Sequence, residues 1–327
     1  MNKIAIIGAG FAGLTIANLL KQYAQVTVFE KSRGSGGRMA TRYAELWEFD
    51  HGAPFFTAES HEFKGFLHPL IEQKIISKWD IQFATKNLHA NVCPPVFEVQ
   101  KDYFVGINRM NSIGKYLAKD LNIKYETKIT KLEYDRNKWR LTDDRLNQYE
   151  DFDFVITATP PLQAAEILPE DCSYIHNLKK FNMLPAFSIM LGFNEDITQK
   201  QEWNIACLKN SKIDKIIANH TKPFRKTKPS FVVLSTHDWA KFNVDKDKND
   251  IGKEIISELE IIFSKKITPD VAQVHRWLYA EIEQTNKAQP FFIDTAYGIV
   301  SCGDWCLGGG VESAFKSGFE VSSYITV

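Results

Sequence analysis

The sequence predicts an α/β protein in two parts: one domain built on a parallel sheet, and a second α+β domain around a mixed sheet. Three observations carry this. The chain opens on a buried strand, a glycine-rich turn and a helix. It closes on a second strand, glycine turn and helix. Between them, β-branched runs surround one amphipathic helical stretch.

In the opening unit, Ile4-Ala5-Ile6-Ile7 is a short apolar run suited to a strand buried on both faces. Gly8, Gly10 and Gly13 follow at G-x-G-x-x-G spacing, with Phe11 and Ala12 inside the motif, and Leu14, Ala17 and Leu20 recur at helical intervals. Val26 to Phe29 predicts the next parallel strand, ending in Glu30. Gly8 allows the tight turn, Gly10 lets a pyrophosphate approach the backbone, and Gly13 lets helix pack on strand. The helix N-terminus offers amide donors and a positive dipole to phosphates, and Glu30 can accept hydrogen bonds from an adenosine ribose. This Rossmann-type fingerprint does not by itself separate NAD from FAD. The next run, Lys31-Ser32-Arg33-Gly34-Ser35-Gly36-Gly37-Arg38-Met39, places two glycines against a ligand, with Arg33 and Arg38 offering charge to its phosphates; it resembles the GG-R segment that follows the first βαβ unit in the flavin amine oxidase superfamily, and that resemblance implies FAD.

A chain of 327 residues predicts two domains, and 44% hydrophobic with 24% charged residues is the balance of a soluble globular protein. The net charge of +0 gives no basic excess for nucleic acid and no polybasic segment for an anionic membrane. The apolar run Ile4 to Ile7 ends in glycines rather than a cleavage site, and no stretch of about 18 apolar residues predicts a membrane span. The five cysteines (Cys93, Cys172, Cys207, Cys302, Cys306) form no C-x-x-C pair, so a cytoplasmic protein with reduced, buried thiols and no metal is expected.

Along the chain, residues 60–77 predict a helix with Phe63, Phe66, Leu67, Leu70 and Ile71 on one face. Trp79 to Val105 predicts strands joined by a loop at Pro94-Pro95, and Ser112 to Leu121 a helix capped by Ser112. Ile123 to Leu132 and Trp139 to Leu141 suit a small meander, and Phe152 to Ala158 a buried strand ending at Thr159-Pro160-Pro161. Farther on, Phe187–Phe193, Ile205–Leu208 and Phe231–Ser235 suit strands, and Asp250–Ser264 an amphipathic helix. The stretch from Lys209 to Lys228 reads as a solvated loop or hairpin, and Lys241 to Lys253 as surface. These assignments give a discontinuous cofactor domain of residues 1–78, 106–165 and 288–327, and a substrate domain of 79–105 and 166–287.

At the C-terminal end, Tyr297 to Cys302 predicts a strand running into Gly303-Asp304-Trp305-Cys306-Leu307-Gly308-Gly309-Gly310. Val311, Ala314, Phe315, Gly318 and Val321 then fall at helical spacing. Such a turn lets a flat ring approach the backbone and aims free amides and the helix dipole at it. Asp304 is placed to hydrogen-bond a ribityl–phosphate region.

The stretches KSRGSGGRMATR (31–42), FDHGAPFFTA (49–58), HRWLYA (275–280) and GDWCLGGGVESAF (303–315) resemble bacterial renalase, a branch of the flavin amine oxidase superfamily. The resemblance runs from end to end. It implies a p-hydroxybenzoate hydroxylase-like, amine oxidase-like architecture with a Rossmann-type FAD-binding domain and non-covalent FAD. It also implies oxidation of the 2- and 6-dihydro isomers of NAD(P)H to NAD(P)+, by hydride transfer to flavin N5, with dioxygen reduced to hydrogen peroxide. The residues expected at FAD are Gly8, Gly10, Phe11, Ala12, Gly13, Glu30, Lys31, Arg33, Gly37, Arg38, Met39, Ala53, Phe55, Ile129, Thr159, Gly303, Asp304, Gly310, Val311 and Ala314. Two positions depart from the family: Pro54 stands where glutamine is common, and Asn108-Arg109 where proline-glycine precedes the methionine at Met110.

His275, Trp277 and Trp305 are the substrate-side candidates. On a strand, His275 and Trp277 share a face and Arg276 points away, with Tyr279 a weaker member of the first face. Trp305 suits pocket wall and core equally. His51 taken alone reads as an incidental polar residue. Asn108 and Arg109 have the chemistry to meet a substrate phosphate. Two alternatives stay open. Amine oxidases flank their substrate with two aromatic rings, one from the residue before the hydrophobic-Glu pair that starts the C-terminal helix; here that residue is Gly310, before Val311-Glu312. A non-catalytic FAD-binding protein is the other. The partners expected are a dihydronicotinamide and dioxygen, with no nucleic acid and no membrane.

Overall fold

The computed structural model describes residues 1–87, 90–93, 101–195, 203–283 and 288–326. Its first sheet has six strands in the order Asn122–Lys124, Gln25–Phe29, Lys3–Ile7, Phe154–Thr157, Ile299–Cys302 and Phe291–Asp294. The first five run parallel; the last pairs antiparallel on the edge. The central strands are apolar on both faces because both faces are covered. One face carries the helices Phe11–Leu20 and Val311–Thr326, where Leu14, Ile16 and Ala17 meet Phe315 and Val321. The other face packs Ala5, Ile7, Val155 and Ile299 against Trp139, Leu141, Tyr174 and Trp305.

The meander consists of Ile129–Asp135, Lys138–Asp143 and Gln148–Phe152. The segment around Ile123, expected in the meander, instead extends the parallel sheet at its edge. The helix expected over 60–77 spans His61–Glu72, and Ile76–Lys78 is a strand. Phe63, Leu67 and Leu70 are buried as expected, whereas Ile71 is exposed. The helix expected from Ser112 spans Asn111–Leu117. Ser112 does not cap it, since its hydroxyl donates back to the Ile107 carbonyl.

The second large sheet has seven strands in the order Val271–Ile282, Met183–Gly192, Ser230–Ser235, Ile213–Ala218, Ile205–Lys209, Phe83–Asn87 and Ala90–Cys93. Only the Ile205–Lys209 pairing with Phe83–Asn87 is parallel, so the sheet is mixed. The helix Lys248–Phe263 lays Ile251, Ile255 and Leu259 on Phe187, Ile189, Leu191 and Val233. Asp247 caps its start by accepting from the Asn249 N–H, and Ser264 ends it in a left-handed turn. The loop expected at Pro94-Pro95 lies outside the described residues. No helix among the described residues is long and apolar enough to cross a membrane.

The basic stretch from Lys209 to Lys228 corrects its reading as solvated surface. Its first half is the expected hairpin, but Lys222 is 2% exposed and sits on Asp50, itself 1% exposed. Lys222 Nζ lies 2.8 Å from Asp50 Oδ2, and Arg225 pairs with the same oxygen. Thr41 Oγ1 and the Met110 N–H donate to the other oxygen at 2.7 and 3.0 Å. Between the two cations, Phe224 takes a left-handed φ of 60° and turns its ring to solvent. The chain thus turns inside out here, basic residues in and aromatic out. Burial alone raises the Asp50 carboxyl pKa, but the two cations overcome it and hold it below its ordinary value. Burial pulls the Lys222 ammonium down to about 8, against the attraction of Asp50.

Removing one member of such a cluster leaves the others charged and unpaired. Asp50→Asn is expected to lower stability by about 3–5 kcal/mol in urea unfolding. Lys222→Met, which keeps the Asp50–Arg225 pair, costs less. Placing Lys222→Met into the Asp50→Asn background recovers part of the loss.

Candidate active site

The phosphate turn is built as its spacing requires. Gly10 is the N-cap of the helix Phe11–Leu20. A Cβ on Gly13 would collide with the Gly8 carbonyl oxygen, so the turn closes only on glycine. A Cβ on Gly10 would meet nothing within 4 Å, so that side of the turn faces open space. Across it lies Gly37, where a Cβ would come 3.2 Å from the Gly10 Cα. Phe11 and Ala12 are buried in the helix's first turn, Phe11 with its ring edge-on to Phe63 and Phe66. Glu30 is buried and accepts from the Ala9 and Ser32 N–H groups at 2.8 and 2.7 Å. Each carboxylate oxygen keeps a second acceptor site for a ribose hydroxyl. Beside the turn, Thr159 Oγ1 is buried without a protein partner.

Arg38 joins the remaining motif segments. Its guanidinium pairs with Asp304 and donates to the Ala280 carbonyl at 3.0 Å. Its own carbonyl accepts from the Ala53 N–H at 2.8 Å. A Cβ on Gly52 would collide with that carbonyl. One arginine therefore touches the 49–58 segment, the strand that carries HRWLYA, and the C-terminal turn. That turn ends in Gly308, Gly309 and Gly310 with φ of 87°, 94° and 89°, a left-handed run open to glycine. Nothing stands within 4 Å of where a Cβ on Gly310 would lie. Val311 and Ala314 start the closing helix beside it.

On the strand Val271–Ile282, His275 and Trp277 share a face, as period two predicts, and Arg276 points away to donate to the Val244 carbonyl. The structure adds His51 to that face. Its ring stacks on Trp277 at 5.4 Å and meets His275 edge-on at 4.9 Å. The rings of His275 and Trp277 are 4.3 Å apart. Trp277 Nε1 donates to the His51 carbonyl at 2.8 Å, locking the indole to the loop that continues to Ala53. Arg42 Nη2 lies 3.4 Å from His275 Nδ1. Because arginine only donates, His275 Nδ1 accepts and Nε2 carries the proton. Burial first, and Arg42 after it, push the His51 pKa down to about 4. His275 also falls to about 4, through burial and the charges of His51, Arg42 and Lys248. His51 Nδ1 is buried and has no partner. The sequence signal for His51 was only its place in FDHGA; its partner lies 224 residues away, which is the separation of His51 and His275.

Other expected residues fall elsewhere. Trp305 is 1% exposed, stacked on Phe292 with its indole N–H on the Thr159 carbonyl, so the structure places it in the core and not on a pocket wall. A register shift between Leu184 and Ala186 resets the strand beyond Trp277, and Tyr279 packs with the Trp305 core instead of with His275. Ile129 also belongs to that core. Phe55 sits among Trp79, Phe83 and Tyr103. Met39 is buried, Arg33 is exposed, and Lys31 reaches Gln163 at 3.2 Å. Arg109 pairs with Glu48 and lies over the Tyr43 ring.

Comparison with known proteins accords with this arrangement. A family model described as an NAD(P)-binding Rossmann-like domain matches residues 6–70. One described as flavin containing amine oxidoreductase matches residues 77–326. The chain belongs to the flavin containing amine oxidoreductase family. Among solved structures, this oxidoreductase resembles a candidate protoporphyrinogen oxidase from Exiguobacterium sp. 255-15, with a TM-score of 0.80 and 12% identity over 99% of this chain and 98% of that one. It also resembles a putrescine oxidase triple mutant redesigned in cofactor binding, with a TM-score of 0.77 and 11% identity over the same shares. At these identities the likeness is one of fold. Senecionine N-oxygenase from Tyria jacobaeae is 22% identical over 178 residues, 51% of this chain and 34% of that protein. A prenylcysteine oxidase 1-like protein from Bos taurus is 37% identical over 73 residues, 21% of this chain and 15% of that protein. The match thus spans about a third or less of these curated relatives' length.

The cofactor of this flavin oxidoreductase is FAD, and its residues fit the group. The open side of Gly10, the orphaned Thr159 hydroxyl, the spare acceptor sites of Glu30 and the cradle at Gly310 are what a dinucleotide with a flat ring system needs. Gly10→Ala is therefore expected to leave the urea unfolding of the apoprotein unchanged while weakening FAD uptake about tenfold or more. Gly13→Ala is expected to destabilise the apoprotein itself.

The two histidines give a pH signature. Both folded values lie below the ordinary 6.5. Their contribution to stability is fully present above that value and is lost as pH falls through about 4. Proton NMR should show no titration of either ring between about pH 5.5 and 8.

Proposed function

We propose that the protein oxidises misplaced dihydronicotinamides, the 2- and 6-dihydro isomers of NAD(P)H, to NAD(P)+. Dioxygen and a proton are consumed and hydrogen peroxide is released. The observation that carries this reading is Gly310. At the position where amine oxidases place one of two substrate-flanking aromatics, this chain has a glycine with open space beyond its Cα. That favours a flat ring over an amine held between two rings.

Bound FAD supplies the two-electron acceptor. The dihydropyridine becomes aromatic as it is oxidised, so no side chain has to take a proton from carbon. The work left to the protein is placement. Trp277, fixed by the His51 carbonyl, offers a rigid indole wall. His275, neutral and protonated on Nε2, offers one hydrogen-bond donor to a carboxamide oxygen and adds no charge that would resist the positive nicotinamide product. An amine substrate is the second reading, favoured by the family match itself.

The yellow protein is to be mixed anaerobically with borohydride-reduced NAD+, which contains the dihydro isomers, and followed near about 450 nm. Rapid bleaching by the isomers and not by pure 4-dihydro NADH is expected. Bleaching by an amine alone overturns the reading in favour of amine oxidation. Bleaching by neither points to a non-catalytic FAD-binding protein.

A further inference from the structure

Two cations, Arg42 and Lys248, bear on His275 in the cluster of His51, His275 and Trp277, and the carboxylate that bears on His51, Asp50, is already paired with Lys222 and Arg225. Arg42 lies exposed on the strand Thr41–Ala44 with its guanidinium against His275. Among the described residues no carboxylate stands within ion-pair distance of it, and that bond to His275 is its one side-chain hydrogen bond. Lys248 adds a second positive charge that bears on His275. The acidic residues flanking Lys248 are occupied: Asp247 accepts from the Asn249 N–H and Asp250 from Lys253. Of the other cations near this strand, Arg109 is neutralised by Glu48 and Lys115 lies against the Tyr43 hydroxyl at 3.4 Å. An arginine with most of its donors free, beside two imidazoles held neutral, leaves the mouth of the site short of an anion.

We propose that Arg42 is the phosphate anchor of this site and binds the pyrophosphate of a dinucleotide substrate. This rests on the dihydronicotinamide reading above and assigns the subsite that reading leaves open. The spacing suits it. Only one ribose separates a nicotinamide from its first phosphate, and only one imidazole, that of His275, separates Arg42 from Trp277. Guanidinium binds phosphate oxygens in pairs, so the contact fixes orientation as well as affinity. The same anchor disfavours a cationic amine, because an ammonium arriving at His275 meets Arg42 and Lys248.

The test compares two reductants in the unsubstituted protein and in Arg42→Met. One is the borohydride-reduced NAD+ isomer mixture. The other is borohydride-reduced 1-methylnicotinamide, which has the ring and no phosphate. The ratio of second-order flavin-reduction rate constants, dinucleotide over methyl compound, is expected to fall about tenfold or more in the variant. Binding of ADP-ribose to the yellow protein, read by calorimetry, is expected to weaken by a similar factor and to be recovered in part by Arg42→Lys. An unchanged ratio together with unchanged ADP-ribose binding overturns the anchor and leaves the dihydronicotinamide reading standing. If neither reductant bleaches the unsubstituted protein, that reading fails, and ADP-ribose binding that does not depend on Arg42 then removes the anchor as well.

Discussion

A carboxylate buried to 1% exposure ties the strand Trp47–Asp50 to the seven-stranded sheet's linking segment and to the start of the helix Asn111–Leu117. Asp50 ends the strand Trp47–Asp50, and its four partners, Thr41, Met110, Lys222 and Arg225, come from three places. Two of these belong to the segment that links strands of the seven-stranded sheet. Taking these charges out of water costs several kcal/mol per ion, and only close, complete pairing offsets it. Burial, and after it the neighbouring charge of Arg225, weakens the hold of Lys222 on its proton. A hydrophobic contact would tolerate sliding. This cluster does not, so the residue after Asp50 is fixed as well. That residue is His51.

Arg38 does for the motif segments what Asp50 does for the segments around the strand Trp47–Asp50. Its side chain spans Asp304 and Ala280, and its carbonyl holds Ala53. The strand Val271–Ile282 is thereby tied at two points: at Ala280 to Arg38 and at Trp277 to His51. The part of that strand that would face a flat ring, at His275 and Trp277, ends on the second tie. The first tie is made by the Arg38 guanidinium and the second by the Trp277 indole. Pre-organisation of this kind suits a reaction in which distance and orientation are the main contribution of the protein.

The parts of the site legible in the sequence are those whose physics is local. Gly13 announces itself because a Cβ there would collide with the Gly8 carbonyl five residues earlier, and Gly8 and Gly10 complete a spacing that is read without the rest of the chain. His275 and Trp277 share a face because strand periodicity needs no knowledge of the rest of the chain. Asp50–Lys222 and Asp50–Arg225 were not legible. Their partners are 172 and 175 residues apart, and Lys222 stands in a basic run whose composition predicts solvent exposure. Trp305, open to pocket wall and core alike in the sequence, lies in the core, with its indole against Phe292 and its N–H on the Thr159 carbonyl. No spacing rule of the sequence records which way the turn Asp304–Leu307 sends it.

The two chemistries open to this family differ in the sign of charge their substrates bring. A cationic amine is recognised by carboxylates or by aromatic faces turned toward it. Around His275 the charged groups are Arg42 and Lys248, and the residue that would complete an aromatic pair is Gly310. A dinucleotide brings the opposite charge, in phosphates, together with a flat ring that needs space and not a cage. The depressed histidines follow first from burial and then from the same field: away from water and beside Arg42, an imidazole has no reason to take a proton. Neutral rings at the centre add no charge against a nicotinamide, and positive charge at the rim matches the phosphates that such a substrate carries.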